Sequence, residues 1–423
     1  MIKILDYSQL KENIFARKEA NLKVEDIVKD ILDDVSKNGD NALIYYAEKF
    51  DKCKLDNLLV SEKEFEEAFS LVESEFIEIL KKASENIKEF HKNQLRKGFE
   101  IKKQNGIIIG QKITPIEKVG LYVPGGTAVY PSTVLMDSIP AKIAGCKEIC
   151  ITTPPNSEGK VHANILVAAK IAGVDKVYKV GGAQAIGALA YGTETVNKVD
   201  KIVGPGNAFV AEAKRQVFGK VSIDMIAGPS EILVIADGKS NPKHVACDLL
   251  SQAEHDKMAS AVLVTDSNEL ALKVQSEIEN QLAGLPRREI ARVSIDTNGK
   301  IIVAKNLEEV IEVSNKIAPE HLELMVDNPF AYLDKITNAG SIFMGRYCPE
   351  ALGDYYAGPN HTLPTSGTAR FSSPLSVDDF IKKSQYTYYT KDALKEVYED
   401  VAYFANKEGL DAHGNSAKVR FED

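Results

Sequence analysis

Apolar residues recur along this chain with two periods, and the switch between them divides it. Up to about residue 105 the spacing is helical. Val24, Ile27, Val28, Ile31, Leu32 and Val35 share one face, and Gly39 is placed to end that helix. Ser61 with Glu64 has the form of a capping box and opens a second run through Phe65, Phe69, Val72, Phe76 and Leu80. His91 stands alone in a charged helical stretch and reads as solvated. Region 1–105 is therefore expected to be a helical scaffold without chemistry of its own.

From about Lys118 short apolar runs alternate with helical ones. Strands are predicted at 119–123, 148–152, 176–180, 201–203 and 232–236, with helices at 132–144, 162–172 and 183–190 between them. After a helix over 241–257 the alternation resumes. Strands fall at 261–265, 300–303, 321–326 and 341–344, and helices at 268–282 and 307–317. Repeated βα units imply an α/β fold with two Rossmann-like parallel-sheet domains, 106–236 and 237–373. The rest, 374–423, reads as a helical, charged C-terminal tail.

Composition removes several function classes. The net charge is −9, and no long Lys/Arg block carries interleaved aromatics, so nucleic acid is not expected as a partner. No apolar run approaches the roughly 18 residues of a membrane span. The N-terminus, Met-Ile-Lys-Ile-Leu-Asp-Tyr-Ser, lacks the layout of a signal peptide, and a cytoplasmic location is expected. Cys53, Cys146, Cys150, Cys247 and Cys348 form no CxxC pair, which fits a reducing compartment. Cys146 and Cys150 read as small buried residues rather than nucleophiles.

Candidate chemistry collects in glycine-rich turns. Tyr122-Val-Pro-Gly-Gly126, Gly181-Gly-Ala-Gln184 and Gly204-Pro-Gly-Asn207 follow predicted strands, and Gly228-Pro-Ser-Glu231 precedes one. Glycine admits a close ligand, and helix N-termini after such turns attract anions. None is the full G-x-G-x-x-G fingerprint, and each alone reads as a tight turn; four together favour a ligand cleft at the strands' carboxyl ends.

The histidines add a second signal. In the helix over 241–257, Asn241 is a plausible N-cap and Pro242 suits the first helical position. Gln252 and His255 then share one face and can hold two corners of a zinc ion, although a capping histidine and a solvated amide explain the pair alone. Glu320 with His321, Asp354 with Asn360-His361, and Glu408 with His413 lie in distant segments that only folding can bring together. Adjacent Glu320 and His321 offer two proton-transfer groups of different pKa.

These segments, in this order, resemble the histidinol dehydrogenase family over nearly the whole chain. The specific marks are Gly120-Leu-Tyr-Val-Pro-Gly-Gly126, Gly181-Gly-Ala-Gln-Ala-Ile186, Val203-Gly-Pro-Gly-Asn207, Gly228-Pro-Ser-Glu231, Gln252-Ala-Glu-His255 and Ala318-Pro-Glu-His-Leu322. Gly353-Asp354 with Asn360-His361, and Glu408 with His413, complete them. The resemblance implies that Gln252, His255, Asp354 and His413 ligate one Zn²⁺ per subunit and that Tyr122, Gln184 and Asn207 line an NAD site. It implies substrate contacts from Ser230, His321 and Glu408 beside the ligand residues. It also implies a homodimer in which the tail, with Glu408 and His413, completes the neighbour's site. The implied reaction is a two-step oxidation of L-histidinol through L-histidinaldehyde to L-histidine. In it His321 is the general base for the first step and Glu320 activates water for the second.

Other readings compete. A zinc hydrolase would use Glu320 on an amide or ester but has no need of four glycine turns. A dehydrogenase for another alcohol is poorly discriminated by sequence, although the Glu320–His321 pair favours a double oxidation. A non-catalytic metal-dependent binding protein would not need the proton-transfer groups.

Overall fold

The computed structural model describes residues 1–10, 23–125 and 129–422, so Gly126 of the first glycine turn lies outside the described residues. The chain divides into two compact units, Met1–Gln94 with Ile116–Phe380, and Leu95–Pro115 with Ile381–Asp423.

In chain order the strands are β1 (Lys3–Asp6), β2 (Phe99–Lys102), β3 (Ile108–Pro115), β4 (Lys118–Tyr122), β5 (Glu148–Thr153), β6 (Lys176–Lys179) and β7 (Lys201–Val203). Then come β8 (Ser222–Ile223), β9 (Glu231–Ala236), β10 (Ser260–Thr265), β11 (Lys300–Val303), β12 (His321–Met325), β13 (Ser341–Met344) and β14 (Ile381–Tyr388). The first unit holds two parallel sheets, ordered β6-β5-β4-β7-β8 and β1-β11-β10-β9-β12-β13. Every residue of β9 and of β12 is buried, as expected for strands covered on both faces.

Local sequence explains how the helices meet the first sheet. Helix α1 (Lys23–Tyr46) breaks at Gly39, whose φ of 52° only glycine adopts readily. Ser61 and Glu64 cap α2 (Glu62–Leu71) reciprocally. The expected single helix beyond Ser61 is in fact two, because the chain is extended at Val72 before α3 (Ser74–Lys92). Helices α4 (Pro131–Ala144), α5 (Ala163–Ala172), α6 (Gly182–Tyr191) and α7 (Ala208–Val217) follow strands of this sheet. Gly187 in α6 lets α1 approach closely, since a Cβ there would lie 3.1 Å from Leu32 and 3.3 Å from Val35.

Four expectations need correction. Strand β9, expected to end the first α/β set, lies in the middle of the second sheet, between β10 and β12. After Glu231 its apolar Ile-Leu-Val-Ile-Ala run carries no mark of which sheet it joins; only pairing with distant strands decides. Region 1–105 is not wholly helical, because β1 pairs with β11 at the edge of the second sheet and β2 pairs with β3. His91 is fully buried, not solvated, with Nδ1 2.7 Å from Gln94 Oε1. The tail is not wholly helical either: β14 pairs antiparallel with all eight residues of β3 in the second unit.

Candidate active site

The strand order of the first sheet reverses between β4 and β7, the place where a doubly wound sheet opens a crevice at its carboxyl edge. Tyr122 ends β4 there, buried, and its hydroxyl accepts a hydrogen bond of 3.1 Å from Gly182 N. Gln184 is buried and folds back over the same glycine, whose added Cβ would sit 2.7 Å from Gln184 Oε1. Gly204 has φ 120°, and a Cβ would lie 2.2 Å from the Tyr122 carbonyl oxygen. The backbone of this turn is clamped by a buried ion pair absent from the sequence reading. Lys214 Nζ donates to Gly204 O at 2.9 Å, Gly204 N donates to Asp224 Oδ2 at 2.8 Å, and Lys214 pairs with Asp224. Asn207 has a structural task as well, since its Oδ1 accepts from Phe209 N and Val210 N and caps α7.

The second sheet uses its amino edge. His321 opens β12, opposite Ile232 on β9 and Ser341 on β13, with Glu320 just before it and Glu231 opening β9. Half-buried Ser230 precedes β9, and its carbonyl accepts from Ser260 N. Helix α8 (Pro242–Ala253) follows β9 and runs back, returning its C-terminal end to the amino edge. Asn241 caps it through Lys243 N, as expected. Gln252 is fully buried in its last turn. His255 lies past the helix end, its N donating to Gln252 O at 3.2 Å, so the two come together through a turn rather than a shared helical face.

Around His321 the geometry fixes a tautomer. Nδ1 is 2.9 Å from the Glu231 carbonyl oxygen, which can only accept, so Nδ1 carries a hydrogen and Nε2 is the nitrogen that can gain or lose a proton. Nε2 faces Asp354 Oδ1 at 3.7 Å, while Glu350 Oε1 and Glu320 Oε2 stand 3.5 and 3.7 Å from Nδ1. Burial favours neutral imidazole here, but the carboxyls of Glu350, Glu320 and Asp354 outweigh it and raise the His321 pKa well above its ordinary value. Burial pushes Glu320 up to about 7, helped by Glu231 and Asp354 and opposed by His321. Its Oε2 accepts from Glu231 N at 2.8 Å.

Asp354 is the meeting point of the imidazoles. Burial would raise its pKa, yet His321, His361 and His255 together hold it below the usual carboxylate range. Burial lowers the His255 and His361 pKa values in turn. His361 donates from Nδ1 to the Asp354 carbonyl at 3.1 Å, and its Nε2 lies 3.2 Å from Thr133 Oγ1 on α4. The imidazole thus links the acidic cluster to the helix that follows β4.

Glu350 was missed by the sequence reading. It is buried, and burial pushes its pKa up to about 8. Its signal was its place four residues before Asp354 on a continuous helical turn, Glu350–Leu352 then Gly353–Ala357. Ligand atoms of His321, Glu350 and Asp354 lie within 4.8 Å of one another. Among the expected metal ligands, Asp354 and His255 act on each other electrostatically. Glu408 and His413 belong to the second unit, exposed, at the end of helix Tyr398–Lys407 and in helix Asp411–Lys418.

A glycine cradle at one sheet's switch point and a buried acid–imidazole pair at another's edge mark an α/β oxidoreductase. Comparison with known proteins gives the particular kind. The histidinol dehydrogenase family model matches residues 15–421, and the chain belongs to that family. It is similar to the histidinol dehydrogenase of Clostridium acetobutylicum, 57% identical over 98% of this chain and 96% of that one. The Bacillus cereus enzyme is 53% identical over 99% of each chain. A crystal structure of histidinol dehydrogenase from Elizabethkingia anophelis superposes with a TM-score of 0.93 at 42% identity, covering 100% of this chain and 98% of that one.

Proposed function

We propose that this enzyme, a dehydrogenase acting on an alcohol, carries out the last step of histidine biosynthesis. It oxidises L-histidinol through L-histidinaldehyde to L-histidine, with NAD as acceptor and one zinc ion per site. The observation that carries the reading is the environment of His321: Nδ1 tied to a carbonyl, Nε2 directed toward Asp354, and Glu320 alongside with a pKa near neutrality.

The donor types fit zinc. A buried carboxylate facing several imidazoles offers the oxygen and nitrogen ligands that zinc takes. Gln252, His255 and Asp354 would hold the ion, and His321 would move the proton. Bound there, zinc would supply positive charge to orient the substrate, and NAD at the glycine cradle would accept the hydride. With the negative charge of Asp354, which helps keep His321 protonated, offset by the ion, His321 Nε2 can take the alcohol proton in the first oxidation, with Nδ1 anchored on Glu231 O to hold the ring's orientation. Glu320 takes a proton from the water that adds to the aldehyde. A carboxyl near pKa 7 can both accept and release that proton at neutral pH.

His413 would complete the zinc site, and Glu408 the substrate site, from the tail of a second copy, making the functional unit a homodimer. Support comes from the tail itself. Val401, Tyr403, Phe404 and Leu410 are exposed beside these two residues, an apolar surface of the kind that a partner covers. No helix among the described residues is long and apolar enough to cross a membrane. With five free thiols, we place the enzyme in the cytoplasm.

The test is NADH formed per L-histidinol consumed, with and without a chelator. Two NADH, lost on chelation and restored by Zn²⁺, is the expected result. One NADH with free aldehyde would remove the second oxidation.

A further inference from the structure

We propose that Asp51 binds the ribose hydroxyls of the dinucleotide and makes the enzyme prefer the cofactor without a 2′-phosphate. This rests on the reading that NAD occupies the glycine cradle. Chain direction places Asp51 at that edge. After α1 the chain passes through the turn Ala47–Asp51 and then runs antiparallel to β6, with Leu59 bridging Tyr178 and Lys179 N donating to Leu58 O at 2.7 Å. Residues before Leu58 therefore lie beyond the carboxyl end of β6. Gly159, in the turn after β5, packs there: its added Cβ would lie 3.4 Å from Leu55 and 3.5 Å from Cys53 Sγ. Tyr122, whose hydroxyl meets Gly182 N, feels the Asp51 charge.

The second observation is that the Asp51 carboxyl is out of place without a ligand. Oδ2 is buried and has no hydrogen-bond partner among the described residues. Burial alone pushes its pKa up to about 6, and no donor pulls it back. Buried carboxylates in folded proteins are ordinarily hydrogen-bonded, because leaving one unmatched costs stability. A neutral donor pair arriving with a ligand resolves the deficit.

Ribose hydroxyls match that need at this position. In doubly wound dinucleotide folds a carboxylate about 20 residues beyond the glycine turn receives the ribose hydroxyls. Here β5, the strand next to β4, ends in Thr153-Pro154-Pro155-Asn156 and supplies no acid. Pro154 instead packs on Gly125 and Gly181, whose added Cβ atoms would meet it at 2.3 and 2.6 Å. Asp51 brings the carboxylate to the same edge from outside the sheet. A 2′-phosphate would meet its charge in a desolvated place, where like charges repel strongly.

The experiment compares wild type with Asp51→Asn and Asp51→Glu, all with zinc bound. NAD and NADP affinities are measured by calorimetry without L-histidinol, alongside turnover and melting temperature. Asp51→Asn is expected to weaken NAD binding about tenfold, the loss of one hydrogen bond to a charged group. It should narrow the NAD-over-NADP ratio, leave the KM for L-histidinol unchanged, and melt no lower than wild type, since an unmatched carboxylate has gone. Asp51→Glu should keep the discrimination against NADP. Unchanged NAD affinity in Asp51→Asn, or a variant too unstable to fold, would overturn the proposal. Wild type that binds neither dinucleotide would overturn the NAD reading itself.

Discussion

The two parallel sheets of the first unit place their chemistry at opposite ends of their strands. At the carboxyl edge of the first, the working parts are backbone and shape: Gly181, Gly182 and Gly204, a tyrosine hydroxyl on a peptide N–H, and a clamped turn. At the amino edge of the second, the working parts are charges out of water: Glu231, Glu320, His321, Glu350 and Asp354. The contrast follows from what each ligand asks. A dinucleotide is recognised by close approach, which glycine allows. Proton transfer needs shifted pKa values, which burial and neighbouring charges create. If NAD binds as proposed, the rule that ligands sit at carboxyl ends holds for the first sheet, while the returning end of α8 and the starts of β9 and β12 build the acidic site at the other edge.

Variants at the two edges should therefore fail in different ways. His321→Ala removes the proposed base, and kcat should fall by about 10²–10⁴ with NAD affinity within twofold of wild type. Steady-state kinetics with calorimetric NAD titration would show it, and an equal loss of NAD affinity would break the separation. Gly204→Ala tests the other edge. The side chain enters a positive-φ position against the Tyr122 carbonyl. A loss of about 1–3 kcal/mol in denaturant unfolding, with NAD binding weakened before L-histidinol binding, is the expected result.

A third effect concerns a contact between the two regions. Asp137 on α4 is buried, accepts from Thr362 Oγ1 at 2.7 Å, and is pushed by burial up to about 8. The folded state then holds a proton that the unfolded chain releases near its ordinary value of 3.8. Stability from this group is present at low pH and is lost as pH rises toward 8, at up to about 1.4 kcal/mol per pH unit. Asp137→Asn should flatten that decline in melts from pH 5 to pH 8. An unchanged pH slope would show that the carboxyl is ionised throughout.

Much of this was legible in residue order. Predicted strands at 201–203, 300–303 and 341–344 coincide with β7, β11 and β13, because short apolar runs between glycine turns leave little choice. Sheet membership was not legible: β1 joins the second sheet by pairing with β11 far along the chain, and β9 by pairing with β10 and β12, which no local pattern announces. Glu320 and His321 stood out by residue type. The clamp of Lys214 on Asp224, the burial of His91 and the place of Glu350 depend on packing, which local pattern does not carry. Glu408 and His413 were visible only as motif residues, and they lie in the other unit.

The central claim is that one amino-edge site performs two oxidations with two proton-transfer groups. The most direct measurement follows both half-reactions separately in zinc-loaded Glu320→Gln, starting from L-histidinol and from L-histidinaldehyde. The account predicts near-normal NADH from the alcohol step and a loss of about 10²-fold or more from the aldehyde step. Equal loss in both steps, in a folded and zinc-replete protein, would contradict it.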